Sequence, residues 1–242
     1  MDDKKKDTTD NGDSIDHDTS ASPGQAPLQD PLDEHELKNA FKTYILQKQS
    51  DADSVYDFAK YLKIEEAEFY NYFSSLKVLE QEIWDGYFEE TISRLKSDEV
   101  YLTYTVREKL LAFFYTLFEL LKEDRSYIIK TERAGVVPRW TPEFLGKFKA
   151  KYFQYINELI EEGKESGEVA ERFLLSKNYD QGLWLQFLFV LNFWMNDESK
   201  GFEKTDAAVE KAINFSVDLM GRSALDSFTD YTKFIFQSWK PS

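Results

Sequence analysis

Residues 54–79 read SVYDFAKYLKIEEAEFYNYFSSLKVL, and two groups of apolar residues recur in them at helical spacing. The first group is Val55, Phe58, Ala59 and Leu62, and the second is Ala67, Phe69, Tyr70 and Phe73. Lys63 and Ile64 lie between the two groups and predict a tight turn. Two short helices joined by such a turn are typical of a helix-turn-helix unit.

A further helix is predicted on each side of this stretch. Upstream, Asp33 and Glu36 resemble a capping box, and the apolar stripe of a helix face follows. That stripe consists of Leu37, Ala40, Phe41, Tyr44 and Ile45. Downstream, a longer helix is predicted over residues 76–95. We therefore expect residues 34–96 to form a helix-turn-helix-like domain.

These residues resemble the DNA-binding domain of TetR-type transcriptional regulators. Members of that family typically carry the pattern L-Y-x-H-F-x-S-K-x-x-L, and residues 69–79 here read FYNYFSSLKVL. The resemblance implies a TetR-like fold that assembles as an Ω-shaped homodimer. It also implies DNA binding by the N-terminal helices and ligand binding by a larger C-terminal helical domain.

The sequence departs from the family pattern where DNA would be contacted. Glu65, Glu66 and Glu68 occupy the first half of the third helix, which in the family is small, hydroxyl-bearing or basic. The family's lysine is Leu76 here, and its histidine is Tyr72. Residues 34–96 hold 13 acidic and 8 basic residues, a net charge of −5, whereas DNA affinity comes largely from neutralised phosphates. We therefore predict a degenerate helix-turn-helix whose DNA binding is weakened or lost.

The alternative is a ligand-responsive transcriptional regulator that binds DNA through residues 54–77 despite the acidic helix. Acidic side chains can accept a hydrogen bond from cytosine N4. In that case the residues expected to contact DNA are Lys60, Lys63, Tyr70, Tyr72 and Lys77.

Residues 97–242 are expected to form a helical ligand-binding and dimerisation domain, which makes the whole ordered chain all-α. Residues 106–121 are apolar on nearly every side and predict a central buried helix. After a loop at 135–140, Thr141 and Pro142 predict the start of a helix that ends near Gly163 in a polar break. Further helices are predicted over residues 180–195, 205–220 and 224–239.

Six aromatic residues at helical spacing are the candidates for an apolar ligand site. They are Phe113, Phe114, Phe118, Phe148, Tyr152 and Phe153. Such rings can line a pocket for an apolar small molecule or lipid, or they can fill an ordinary core, and their spacing does not separate the two. A protein partner in place of a small ligand is also left open.

The helix predicted over residues 180–195 is apolar on all sides and needs cover around its whole circumference. A two-fold partner would supply that cover, and the core of a monomer is the alternative. The residues expected at a homodimer interface are Trp184, Phe187, Leu188, Leu191 and Trp194.

Composition argues against most enzyme classes. The 242 residues include no cysteine and only two histidines, His17 and His35. The residues that form the usual thiolate and histidine sites of enzymes are therefore absent or too few. None of the common phosphate-binding, nucleophile or zinc motifs is present. We predict no enzyme activity, no cofactor and no metal site.

Residues 1–33 contain nine aspartates and almost no large apolar side chains. Such a segment cannot bury enough surface to offset its ordering entropy, so we predict a disordered acidic tail. The tail is either an interaction arm or a solubilising segment. The first residues lack the apolar core of a signal peptide and no stretch is long enough to span a membrane, so a cytoplasmic location is expected.

Overall fold

The computed structural model describes residues 33–47, 54–131, 141–170 and 179–221. These residues form nine α-helices and no β-strand, which confirms the predicted all-α class for this part of the chain. In chain order the helices are α1 (Glu34–Gln47), α2 (Val55–Leu62), α3 (Glu66–Phe69), α4 (Leu76–Lys96), α5 (Val106–Glu123), α6 (Arg125–Thr131), α7 (Gly146–Ser166), α8 (Tyr179–Met195) and α9 (Glu203–Met220). Short 3₁₀ helices occupy Glu99–Thr103, Glu143–Leu145 and Lys200–Phe202.

Three predictions fall on other residues. The acidic tail apart from Asp33, the loop at 135–140 and the last helix at 224–239 lie outside the described ranges. Within those ranges, every helix is too short or too polar to cross a lipid bilayer.

Aromatic rings hold the first three helices together. The Phe58 ring of α2 lies 5.4 Å from Phe41 of α1 and 6.0 Å from Phe69 of α3, measured between ring centroids, and all three are buried. The predicted capping box opens α1. The Asp33 N–H donates to Glu36 Oε2 (3.1 Å), and the Glu36 N–H donates to Asp33 Oδ1 (2.7 Å).

Helix α4 runs from this three-helix unit into the larger bundle. It begins at Leu76, directly after Ser75, whose hydroxyl accepts a hydrogen bond from the Val78 N–H (3.2 Å). Its 21 residues span about 30 Å and pack against α1, α5 and α7. A single helix therefore contacts both the helix-turn-helix and the centre of the bundle.

Helix α5 packs at the centre of the bundle as predicted, but it is not buried on nearly every side. A capping box closes its first turn, since the Thr105 hydroxyl accepts from the Glu108 N–H (3.3 Å) and the Glu108 carboxylate accepts from the Thr105 N–H (2.8 Å). The helix packs against α4, α7 and α9. Its buried residues share one side of the helix, and the opposite side is exposed at Glu108, Tyr115, Glu119 and Lys122.

The start of α7 differs from the prediction. A 3₁₀ helix occupies Glu143–Leu145, and α7 begins only at Gly146. Thr141 does not cap a helix here. Its hydroxyl instead accepts hydrogen bonds from Trp184 Nε1 (3.0 Å) and Lys149 Nζ (3.1 Å).

The predicted end of α7 near Gly163 is also wrong, because the helix continues to Ser166 and ends at Gly167, which has a φ of 84°. Gly163 has a packing role inside the helix. A Cβ atom added there would lie 2.5 Å from Val169 Cγ2 and 3.0 Å from Val106 Cγ2. The absence of a side chain therefore lets the segment after α7 and the start of α5 approach closely.

Candidate functional site

The turn between α2 and α3 has the geometry that its sequence predicts. Lys63 ends α2 in the left-handed conformation, with φ 60° and ψ 37°. The Lys63 N–H donates to the Lys60 carbonyl (3.2 Å), and the Ile64 N–H donates to the Ala59 carbonyl (3.1 Å). These bonds close the end of α2 and allow α3 to begin at Glu66, two residues after Ile64.

Most of the residues predicted to contact DNA lie on the surface of this unit. Lys60, Lys63, Tyr70 and Lys77 are exposed, and Tyr72 is half-buried. Lys77 is engaged in an ion pair with Glu143. The Tyr70 hydroxyl donates to Glu66 Oε1 (2.9 Å), and this hydrogen bond raises the pKa of Tyr70.

The start of α3 presents negative charge beside these groups. Glu65 is exposed directly before the helix, and Glu66 and Glu68 are half-buried within it. A phosphate that approached the Tyr70 hydroxyl would meet the Glu66 carboxylate bound to the same hydroxyl. Like charges about 4 Å apart repel by about 1 kcal/mol even in water. This surface therefore opposes phosphate contact at the helix that would enter the groove.

The six aromatic residues predicted to line an apolar site lie on α5 and α7. Phe113, Phe114, Phe148 and Tyr152 are fully buried, Phe118 is nearly so and Phe153 is half-buried. The Tyr152 ring centroid lies 5.7 Å from that of Phe113 and 6.2 Å from that of Phe148, and the Phe148 ring stacks on Phe187 at 4.9 Å. The structure thus brings these rings together as a packed aromatic core.

The residues predicted at a dimer interface belong to that same interior. Trp184, Phe187, Leu188, Leu191 and Trp194 are each at most 2% exposed within the protomer. Trp184 Nε1 also donates to the Thr141 hydroxyl (3.0 Å). A partner can reach α8 only on its exposed face, so these five side chains are not the ones it would meet.

The exposed face of α8 is apolar too, and it continues onto α9. Leu185 and Phe189 of α8 are 49% and 52% exposed, and Phe215 of α9 is 63% exposed. Together with neighbouring residues they line a groove of about 670 Å³. We call this surface the α8–α9 face, and its members are Leu185, Gln186, Phe189, Phe193, Lys204, Ala207, Ala208, Lys211, Ala212 and Phe215.

A cavity of about 330 Å³ lies between α4, α5 and α7, beside the 3₁₀ helix at Glu99–Thr103. We call it the α4–α7 cavity. Its lining residues are Phe88, Glu89, Ile92, Lys96, Tyr101, Lys109, Lys151, Gln154, Tyr155, Glu158, Leu159 and Glu162. The volume falls at the lower end of the range for small-molecule sites, which is roughly 300–1,000 Å³.

The aromatic core supports the wall of this cavity. The Phe88 ring centroid lies 5.8 Å from that of Phe113 and 5.5 Å from that of Phe148. The Tyr155 ring stacks on Phe113 at 5.0 Å. Phe113 and Phe148, predicted to touch a ligand, thus pack directly behind the rings that line the cavity.

The polar group deepest in the wall is the Lys109 ammonium. The Lys109 side chain is 7% exposed and forms an ion pair with Glu162, whose side chain is 46% exposed. The ammonium also lies 5.7 Å from the centroid of the Tyr101 ring, within range of a cation–π interaction. A buried cation with apolar neighbours is the kind of fixed polar group that orients a ligand.

Two tyrosine hydroxyls complete the polar part of the cavity. The Tyr155 hydroxyl donates to the Lys109 carbonyl (3.3 Å), and the hydroxyls of Tyr101 and Tyr155 lie 2.8 Å apart. Since Tyr155 uses its proton on the carbonyl, Tyr101 is the donor of the second bond. Burial raises the pKa of both tyrosines, so both stay protonated near neutral pH.

Sequence reasoning did not identify these residues. Tyr101, Lys109 and Glu162 occupy three different elements, and Glu162 lies 53 residues after Lys109. Lys109 follows Arg107 and Glu108 in the first turn of α5, so no local signal in the sequence distinguished it. In the described ranges, no group of three or more histidine, aspartate or glutamate side chains is placed to hold a metal ion.

Two comparisons with known proteins bear on this arrangement. A family model described as the tetracyclin repressor-like C-terminal domain matches residues 109–235, just over half of the chain. The match begins in α5 and includes α6 to α9. A comparison with curated proteins finds no match.

Proposed function

The chain belongs to the tetracyclin repressor-like family, and from this premise we propose that it is a helical protein that binds a small molecule in the α4–α7 cavity. Members of this family are typically ligand-binding regulators rather than enzymes. The observation that carries the proposal is the buried Lys109 side chain in the wall of a cavity that aromatic rings also line. We also propose that the protein is cytoplasmic and has no enzyme activity.

The position of the cavity gives a route from ligand to helix-turn-helix. Phe88, Ile92 and Lys96, which line the cavity, lie in the C-terminal half of α4, and the same helix packs against α1. The Lys42 ammonium of α1 pairs with Asp124 Oδ2 (2.7 Å), which also accepts from the Tyr87 hydroxyl of α4 (2.6 Å). A ligand that displaces the end of α4 would therefore act on this contact.

Ligand binding is tested by filling the cavity. Ile92→Trp places a large ring in the half-buried wall, whereas Tyr56→Trp adds the same ring on the exposed face of α2. We expect small aromatic molecules to bind the wild-type protein and the Tyr56→Trp variant in saturation-transfer NMR, and to lose binding in Ile92→Trp. Equal binding to both variants would place the ligand elsewhere.

We further propose that DNA binding is weakened or lost. The support is the row of carboxylates at the start of α3 and the hydrogen bond that commits the Tyr70 hydroxyl to Glu66. The test is retention of pooled genomic DNA fragments at low salt, where phosphate-driven affinity is greatest. Selective retention that salt and Tyr70→Ala both weaken would overturn this part of the proposal.

A DNA-binding regulator is the second candidate, and a specific observation favours it. The helix-turn-helix keeps its turn geometry, and Lys60 and Lys63 remain exposed beside α3. These two lysines can still contact phosphates on either side of a groove. If this candidate is right, Lys60→Ala with Lys63→Ala should weaken DNA retention and reduce its salt dependence.

A homodimer formed through the α8–α9 face is also proposed. The support is the exposure of Leu185, Phe189 and Phe215 on one continuous apolar surface, which a second copy can bury. We expect analytical ultracentrifugation to show a dimer that Phe215→Glu dissociates. Leu102→Glu is the control, because Leu102 is 74% exposed and lies on the 3₁₀ helix after α4. A monomeric wild-type protein would refute the assignment.

A further inference from the structure

We propose that the ligand of the α4–α7 cavity is a small amphipathic carboxylic acid whose carboxylate replaces Glu162 beside Lys109. This inference rests on the proposed ligand-binding function and narrows it to one chemical class. Its basis is the unequal burial of the two partners in the Lys109–Glu162 ion pair.

Lys109 needs an anion next to it, whereas Glu162 does not need a cation. The Lys109 side chain is 7% exposed, and an unpaired ammonium at such a position is strongly unfavourable. The Glu162 side chain is 46% exposed, so its carboxylate can turn into water when it leaves the pair. A ligand carboxylate can therefore exchange with Glu162 without leaving a buried charge unpaired.

The remaining charges around the cavity balance one another, so Lys109 decides which ligand charge is preferred. Each lining carboxylate already has a partner: Glu89 pairs with Lys151, Glu158 accepts from Gln154 (3.1 Å) and Glu162 pairs with Lys109. Lys96 is exposed at the rim and forms no ion pair with any described residue. Because Gln154 is neutral, the Glu158 carboxylate keeps its charge and offsets that of Lys96. The preference is therefore set by the buried Lys109 ammonium, which repels a cationic ligand and cannot move away from it.

The rest of the ligand must be apolar and small. The apolar part of the wall consists of the rings of Phe88, Tyr101 and Tyr155 with the side chains of Ile92 and Leu159, and the other lining residues carry charged or amide groups. The Tyr101 hydroxyl donates to that of Tyr155, which donates to the Lys109 carbonyl, so neither offers a free proton to a ligand. A flat or short hydrocarbon body fits the volume of about 330 Å³.

The test uses three probes of the same shape and different charge: phenylpropionate, phenylpropanol and phenylpropylamine. Their affinities for the full-length protein are measured by saturation-transfer NMR and calorimetry at neutral pH. We expect the acid to bind at least tenfold more tightly than the alcohol, and the amine to bind most weakly. Lys109→Met should remove the preference for the acid, while Lys122→Met, the same change at an exposed position of α5, should keep it.

A second variant keeps the inference testable if Lys109→Met does not fold. Glu162→Gln removes the competing carboxylate, so it should strengthen binding of the acid several-fold and leave binding of the alcohol unchanged. Equal affinities for acid and alcohol, or tightest binding of the amine, would overturn the acid assignment but leave a ligand-binding cavity. If none of the three probes binds, both the acid assignment and the proposed function fail.

Discussion

Gly163 gives the sharpest test of how the bundle is packed, because replacing it with alanine sets two opposite effects against each other. In a helix interior, alanine is more favourable than glycine by about 1 kcal/mol. Against this, the new Cβ would lie 2.5 Å from Val169 Cγ2 and 3.0 Å from Val106 Cγ2. Carbon atoms pack comfortably at about 3.5–4.0 Å, so one neighbour must move by about 1 Å.

That movement is costly because Val169 is tied down. The Val169 N–H donates to the Gly163 carbonyl (2.8 Å), and the next residue, Ala170, donates to the Met220 carbonyl (2.9 Å). Overpacking of this kind costs about 1–3 kcal/mol, which exceeds the gain in helix propensity. We expect Gly163→Ala to lower the free energy of unfolding by up to about 2 kcal/mol, a fall in Tm of up to roughly 8 °C for a chain of this size.

Gly86→Ala is the matched control, since Gly86 also lies inside a long helix and a Cβ there would meet nothing within 4 Å. This variant should be stabilised by up to about 1 kcal/mol. Both proteins are unfolded in urea at one fixed protein concentration, because association shifts apparent stability. If Gly163→Ala is as stable as Gly86→Ala, the close approach at Gly163 does not limit the packing and the reasoning is refuted.

Three further changes probe other parts of the molecule. Arg125 donates to three carbonyl groups at the C-terminal end of α8, those of Trp194, Met195 and Asp197, at 2.6–3.1 Å. Arg125→Lys should therefore lower the free energy of unfolding by about 1–3 kcal/mol in urea titrations, and an unchanged midpoint would count against that role. Burial raises the pKa of Asp197, but hydrogen bonds from Ser199 and Thr205 outweigh it and hold that pKa well below its usual range. The ionised Asp197 therefore adds stability that is complete above about pH 4 and is lost as the pH falls further. Asp197→Asn should flatten the acid limb of a curve of Tm against pH. An unaltered curve would contradict this role of Asp197. Glu68→Lys should raise the affinity of the protein for DNA about tenfold at low salt and less at high salt. A filter-binding titration measures this affinity, and no change would show that α3 does not approach phosphates.

The sequence predicted the helices well because their apolar spacing is a local property. The stripe from Leu37 to Ile45 is buried in α1 except for the half-buried Ala40, and α4 begins at Leu76 as predicted. The helix-turn-helix resemblance rested on residues 54–79, whereas the family match covers residues 109–235. Two separate parts of the chain thus lead to the same family.

Side-chain environment could not be predicted with the same success, because it depends on neighbours distant in the sequence. Trp184 and Phe187 are apolar residues on an apolar helix, and nothing local shows which face of α8 the aromatic core covers. The α4–α7 cavity arises where Tyr101, Lys109 and Glu162 meet from three elements. Gly163 looked like a helix terminator because its close contacts lie on other segments.

Different physical interactions determine the family fold and the DNA-binding surface. The helix-turn-helix is held together by buried rings such as Phe41, Phe58 and Phe69, whose removal would leave cavities in a small core. The carboxylates of Glu65 and Glu68 are not part of that core and can vary without unfolding it. A chain can therefore keep the three-helix geometry while the charge on α3 turns against phosphates, so membership in the family leaves DNA binding to be decided by the exposed residues alone.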